Sequence, residues 1–403
     1  MIMTKISDIL RNELCLGCGL CSAVDKECSM ELNSKGFYRP QFKHSNKKIE
    51  NEIIGICPGI NITCNRSQNN TSVWGNVVSV SNAWSTDKNI RKSSSSGGVT
   101  SALAIYLLES HKVNAVLHVG VDANSYLYNK LYISKTKEDV LKRNASRYAP
   151  ASVFDKIFDI LNQNNDTFAF IGKPCDIAGI KNLISQYPQY KNRIKYFLSI
   201  FCAGMPSYNA SIKAINTFQK SSKPISLQYR GNGWPGFFTV KFEDGTTSQM
   251  TYNESWGHIL GRDLGFRCKI CPDGVGLLAD ISSGDAWNTK DGYPDFTESD
   301  GKNFCFVRTK AGKDLFDSAV KAGYIKEELL DINEIRNMQN YQYSRRHYVG
   351  WRILAVQLLT NKILSFKNIG YMRLASKANY KQGAREFLGT VKRLCKVRIN
   401  NGK

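Results

Sequence analysis

No stretch of this sequence approaches the roughly 20 uninterrupted apolar residues that a membrane-spanning helix needs, and its mean hydropathy is −0.34. An integral membrane protein is therefore not expected. The opening residues, MIMTKISDILRNEL, carry no basic n-region, apolar h-region or small-residue cleavage site, so the expected compartment is the cytoplasm. Histidine is scarce: His44, His111, His118, His258 and His347 are the only five, and none sits in an H-E-x-x-H pattern. A nucleophile elbow and a Walker loop are also missing, so hydrolase and P-loop chemistry gain no support. Acidic residues are outnumbered 34 to 55 by Lys and Arg, which leaves a formal charge of +21.

The chain is 403 residues long and 42% hydrophobic, enough for two or three packed domains rather than a disordered tail or a disulfide knot. It also has twelve cysteines. In a reducing compartment such clustering points to metal or redox chemistry rather than to disulfides.

Six of the twelve fall in residues 1–65, read as a small module held by what its cysteines bind rather than by a core. Residues 66–72, RSQNNTS, read as a linker before a strand-like run at 73–80. Through 73–335, strand-like runs at 115–121, 167–171 and 194–201 alternate with helical stretches at 99–109 and 151–161, the pattern of an α/β layer structure. FFTVKFEDGTTSQM places Asp244-Gly245 where a hairpin turn belongs, so a mixed sheet is expected. Residues 341–403 hold 14 Lys and Arg against Glu386 alone, and 349–366 reads as an amphipathic helix with an apolar stripe of Trp351, Leu354, Leu358 and Leu359. The expected fold class is thus α/β (mixed α+β), with a small cluster module in front and a basic helical tail behind.

Cys15, Cys18 and Cys21 form C-x2-C-x2-C, and Cys57-Pro58 follows. Three thiolates at this spacing wrap one four-iron cubane and a remote Cys-Pro closes its fourth corner. Gly17 and Gly19 allow the backbone to pass close to the cluster. Zinc is the alternative, although zinc ligands usually come as two separated pairs. Cys28 has no following proline and reads as free, while Cys64, Cys305 and Cys395 read as ordinary thiols. Cys175, Cys202, Cys268 and Cys271 form a second, dispersed set. Cys175 and Cys202 each follow an apolar run, at a strand's carboxyl end, where α/β sheets place ligands. Taken singly, a buried Cys after a strand is more often a small core residue than a ligand, and as a foursome they would also suit zinc.

The ordered series CLGCGLC, ICPG, SSSSGGVTSAL, RNASRYAP, FIGKPCDIAG, FCAG, RGNGWPG and FRCKICPDGVGLLADISSGDAW resembles the family of beta subunits of coenzyme F-420-reducing hydrogenase and dehydrogenase over residues 13–325. That resemblance implies an iron–sulfur flavoprotein oxidoreductase: a ferredoxin-like module on an α/β domain that binds FAD, two 4Fe-4S clusters, and Cys175, Cys202, Cys268 and Cys271 as ligands of the second. The donor it implies is a deazaflavin such as coenzyme F-420, a nicotinamide or ferredoxin. The subtype resembles chains found with bacterial exopolysaccharide genes, which implies a role in polysaccharide biosynthesis. The chain departs from the family at Lys173, where relatives more often carry Thr, and in its basic tail. An electron-transfer subunit without its own substrate, and a non-catalytic zinc-stabilised binding module of a biosynthetic complex, are the alternatives.

Ser95, Ser96, Gly97 and Gly98 run into an apolar helix, and a helix N-terminus favours phosphate. They are the candidate flavin-phosphate residues; the alternative is a plain Ser N-cap. Arg147 and Tyr148 would pair with phosphate and stack on a ring, Lys173 would lend charge to flavin or cluster, and Asp280 and Asp285 would be polar contacts near the flavin. The tail reads as a cap on the core, as a face for an anionic membrane surface at the inner side of the membrane, or as a dock for an acidic redox protein. Nucleic acid is not expected.

Overall fold

A computed structural model describes residues 4–44, 46–64 and 72–401. Residues 1–3 of the opening segment and 66–71 of the expected linker lie outside the described residues. One eight-stranded sheet organises the chain, in the spatial order Ile325–Leu329, Ser79–Ser85, Asn303–Val307, Ile281–Asp285, Ile194–Ile200, Phe168–Gly172, Ala115–Val121, Asn129–Ser134. The four strands from Ile281–Asp285 to Ala115–Val121 are mutually parallel, and antiparallel neighbours close both sides. The mixed α/β class expected from the alternating pattern is the one observed.

Phe168, Ala169 and Phe170 are buried one after another, as strands covered on both faces must be. The helix Val99–Glu109 is apolar nearly all round and buries Val99 and every residue from Ala102 to Leu108. Outside the main sheet, Phe238–Phe242 and Thr247–Met250 form the expected hairpin, with Gly245 at φ +80° in its turn and Pro224–Gln228 as a third strand.

Several elements differ from expectation. The strand read at 73–80 starts only at Ser79, because Gly75 at φ +80° breaks the extended run. The helix read at 151–161 starts at Ile157; the residues before it form a loop in which the Phe154 N–H donates to the Cys18 carbonyl at 2.9 Å. The helix read at 349–366 is Asn340–Leu359. It ends where Asn361 and Lys362 take positive φ, and Ser365–Lys367 instead pairs in parallel with Asn61–Thr63. Its buried face is Val349, Ile353 and Val356, while Leu354 and Leu358 face solvent.

The cysteine-rich N-terminal segment is also not coreless. Ile9, Leu14, Leu20, Ile56 and Ile62 share one apolar cluster with Phe154 and Ile177 of the α/β body, and Val349, Ile353 and Leu394 of the C-terminal helices belong to the same cluster. Among the described residues no helix is long and apolar enough to cross a membrane.

Candidate functional site

Cys15 and Cys18 lie on the loop after the helix Ile6–Arg11, and Cys21 lies on Leu20–Val24. Gly19 sits at φ +88°, and a Cβ there would fall 2.2 Å from Asp155 Oδ1, so only glycine allows the loop to meet the body this closely. Cys57 ends the helix Lys47–Ile56. Main-chain N–H groups converge on these sulfurs: Gly17 on Cys15 at 3.4 Å, Leu20 on Cys18, Gly59 and Ile60 on Cys57. Burial, and then the neighbouring thiols, push Cys18 and Cys21 well above the ordinary thiol value. Burial and Cys15 push Cys57 up to about 11, against the pull of those N–H groups and of Arg267. Cys28 stands within electrostatic reach of Cys15 and Cys21, with its Sγ 3.7 Å from the Ser29 carbonyl.

Cys175 opens the helix Pro174–Gln186, Cys202 follows the strand Ile194–Ile200, Cys268 is on the short helix Phe266–Lys269, and Cys271 comes just after it. These four line one narrow pocket together with Lys173, Asp273 and Arg345. Burial and the adjacent Cys268 raise Cys202 to about 12; burial raises Cys175, with Asp176 adding to it. All eight candidate ligands are free thiols. No three Cys, His, Asp or Glu side chains among the described residues converge on a single ion. Sulfur ligands, main-chain N–H donors and buried guanidinium groups are a donor set that suits an anionic thiolate cluster.

Beside this pocket lies a larger cavity of about 320 Å³, within the usual size of a ligand site. It runs over the carboxyl ends of the strands Phe168–Gly172, Ile194–Ile200 and Ile281–Asp285 and is walled by the N-terminus of Val99–Glu109. Lys173, Asp176, Cys202, Gly204 and Met205 line both spaces. The serine loop is fixed by the RNASRY loop: Asn144 Oδ1 accepts from Ser94 at 2.9 Å and Ser101 at 2.6 Å, and the Ser146 N–H donates to Ser95 Oγ at 2.9 Å. Gly98, at φ +76°, turns the chain into the helix. His118 is buried in the same wall, 2.7 Å from Ser134 Oγ; burial and Arg143 lower it to about 4.

Ser95, Ser96, Gly98, Arg147, Tyr148, Lys173 and Asp285 all line the cavity. Gly97 instead packs on the sheet, where a Cβ would lie 2.8 Å from the Asn303 N. Asp280 does not line the cavity: it lies at the opposite end of the strand Ile281–Asp285, bound to the Phe197 N–H at 2.9 Å and Thr309 Oγ1 at 2.8 Å. Arg147 reaches the wall, but its guanidinium is occupied by Asn129 and by the carbonyls of Leu227, Tyr126 and Leu127. Lys173 pairs with Asp176 at 2.7 Å; burial opposes its charge, and Asp176 and the Cys175 thiol hold it above its ordinary value.

Sequence reasoning missed Arg230, which is 2% exposed. It is bidentate to Asp285 at 3.0 and 3.1 Å and lies 4.8 Å from the Tyr252 ring and 5.1 Å from Trp287. RGNGWPG marked the segment without giving this side chain a role. Gln339 and Gln342, at the start of the helix Asn340–Leu359, also line the cavity, and nothing in their spacing signalled it.

Family models described as the N-terminal and C-terminal parts of the coenzyme F420 hydrogenase/dehydrogenase beta subunit match residues 80–157 and 165–332. This chain belongs to that family. Among curated relatives, the coenzyme F420 hydrogenase subunit beta of Methanococcus voltae is 27% identical over 261 residues, 64% of this chain and 86% of the relative. A component of the F(420)H(2) dehydrogenase of Methanosarcina mazei is 22% identical over 320 residues, 78% of this chain and 84% of the relative. Among solved structures, a chain of the F420-reducing [NiFe] hydrogenase complex from Methanosarcina barkeri aligns over 72% of this chain and 96% of its own length, with a TM-score of 0.55 and 21% identity. That likeness bears on the fold. At the family level the chain is oxidoreductase-like, related to subunits of redox complexes.

Proposed function

We propose that this chain is an iron–sulfur flavoprotein subunit that carries electrons between a soluble donor and a partner in a redox complex. In this reading Cys15, Cys18, Cys21 and Cys57 hold one 4Fe-4S cluster, Cys175, Cys202, Cys268 and Cys271 hold a second, and FAD lies in the large cavity. FAD would supply the exchange between two-electron and one-electron chemistry. The observation that carries the reading is the junction at Lys173 and Cys202: a cavity with a helix N-terminus in its wall opens onto a pocket ringed by four thiols.

The residues divide the work. Asn144 and Ser146 hold the serine loop so that the first turn of Val99–Glu109 faces the cavity, a favourable place for phosphate oxygens. The ion pair of Lys173 with Asp176 keeps a cation at the junction. Arg230 and Asp285 lock the aromatic wall of Tyr252 and Trp287, which suits a planar ring.

A role as an electron carrier without its own substrate is favoured by the relatives' names, which describe subunits of hydrogenases and dehydrogenases. Coenzyme F-420, a nicotinamide and reduced ferredoxin are the donors to try. The exposed stripe of Lys381, Arg385, Leu388, Lys392, Lys396 and Ile399 on Tyr380–Asn401 suits a peripheral contact with anionic lipid from the cytoplasmic side, which liposome flotation tests. Anaerobic purification followed by iron, sulfide, zinc and flavin analysis tests the main reading. Iron with sulfide and bound FAD is the expected result; zinc without iron would instead make the chain a zinc-stabilised binding module.

A further inference from the structure

Each cysteine set has a buried arginine beside it. Arg267 is 1% exposed; its Nε donates to the Gly59 carbonyl at 2.5 Å and an Nη to the Pro58 carbonyl at 3.2 Å, just past Cys57. Arg345 is 4% exposed; it donates to the carbonyls of Cys202 at 2.9 Å and Cys268 at 3.1 Å, and it lines the four-cysteine pocket. Each also keeps one buried donor nitrogen, Arg267 Nη1 and Arg345 Nε, with no hydrogen-bond partner among the described residues. An unpaired buried donor on a guanidinium is costly, and neither arginine has a carboxylate in an ion pair among the described residues to balance it. Arg346, next in sequence and 1% exposed, differs: it donates to the carbonyls of Val73, Pro272 and Ile369.

We infer that Arg267 and Arg345 are positioning residues that balance cluster charge, Arg345 for the second cysteine set and Arg267, bonded just past Cys57 and adjacent to Cys268, foremost for the first, so that each raises the reduction potential of the cluster it faces. This rests on the cluster reading above. A four-thiolate cubane carries about −2 when oxidised and gains another negative charge on reduction. A nearby fixed cation therefore stabilises the reduced form more than the oxidised form, and the potential rises. Guanidinium stays protonated at every working pH, so the effect is independent of pH. Arg345 lies beyond the segment matched to the family, which ends at residue 332, so the C-terminal helix contributes directly to the second centre. Arg267 is adjacent to Cys268 on Phe266–Lys269, so one short helix serves both sets.

The test is an EPR-monitored redox titration of the anaerobically purified full chain, with signals assigned by Cys18→Ser and Cys271→Ser. Arg345→Met is expected to lower the midpoint of the second cluster alone, Arg267→Met to lower that of the first more than that of the second, which Arg267 adjoins at Cys268, and Arg345→Lys to hold the second near its wild-type value. If Arg345→Met loses half of the iron while Arg345→Lys keeps it, the charge role also stands. Unchanged midpoints in both Met variants at full iron content would overturn the inference, as would equal shifts of both clusters in each. Loss of iron from both Arg345 variants would make the residue a packing element and overturn it too. A wild-type chain without iron and sulfide would remove the cluster reading itself, and this inference with it.

Discussion

Replacing Asp285 with Ala tests whether the aromatic end of the cavity is held by a buried charge pair. Arg230 has 2% of its side chain exposed and Asp285 has 21%. Breaking a fully buried pair by removing one partner costs about 3–5 kcal/mol, because the remaining charge is left uncompensated. Partial access of water to Asp285 places this case near the lower end, at about 3 kcal/mol. The carboxylate also accepts from Trp234 Nε1 at 3.0 Å, and that lost bond adds about 1 kcal/mol. Tyr148 OH, at 3.2 Å, and the Pro235 carbonyl, at 2.9 Å, remain on Arg230, but both are neutral. Urea unfolding of the flavin-free chain, followed by tryptophan fluorescence, reads the change well, since Trp234 and Trp287 stack at 4.7 Å beside the pair. The expected loss for Asp285→Ala is about 3–4 kcal/mol. Arg230→Met with Asp285→Leu should recover much of it, because no stranded cation remains. A loss below about 1 kcal/mol, or a double variant equal to the sum of the singles, would refute the reasoning.

His118 makes stability depend on acid. Its folded value of about 4 lies below the ordinary 6.5, so its contribution is complete above pH 6.5 and drains away as pH falls toward 4, by about 3 kcal/mol in all. His118→Gln should flatten the unfolding free energy over that window, and an acid slope as steep as that of wild type would contradict the assignment. Gly19→Ala must place a Cβ at φ +88° against Asp155 and Ser152; a loss of at least about 2 kcal/mol is expected in denaturant unfolding, and a change within about 0.5 kcal/mol would show that the loop yields. Asn144→Ala frees the hydroxyls of Ser94 and Ser101 and removes the donor on Ser93 Oγ. FAD affinity, measured by fluorescence during reconstitution, should fall roughly tenfold for the loss of about 1.4 kcal/mol of preorganisation, and an unchanged affinity would remove the serine loop from the site.

Much of the fold was legible because its signals are local. The helix Val99–Glu109 and the strand Ala115–Val121 were read at their observed bounds, since an unbroken apolar run leaves few alternatives for a buried element. The C-terminal helix was misplaced because a stripe chosen by hydrophobicity alone, Leu354 and Leu358, competed with a buried face that carries two arginines, Arg345 and Arg346. Nothing in a sequence distinguishes a guanidinium in water from one that serves backbone carbonyls, as Arg147, Arg267 and Arg345 do here. Asp280 and Asp285 show the same limit: five residues apart, one just before the strand Ile281–Asp285 and one at its end, they sit at opposite ends of that strand. The pairing of Arg230 with Asp285 joins positions 55 apart and becomes visible only once the chain is folded.

The central claim is that the two cysteine sets hold separate clusters. Iron and sulfide content of the anaerobically purified chain tests it most directly, compared across wild type, Cys18→Ser and Cys271→Ser. Two cubanes predict about eight irons in the wild type and about four in each single variant, with a different EPR signal surviving in each. Full iron content in both variants, or an iron-free wild type, would contradict the account.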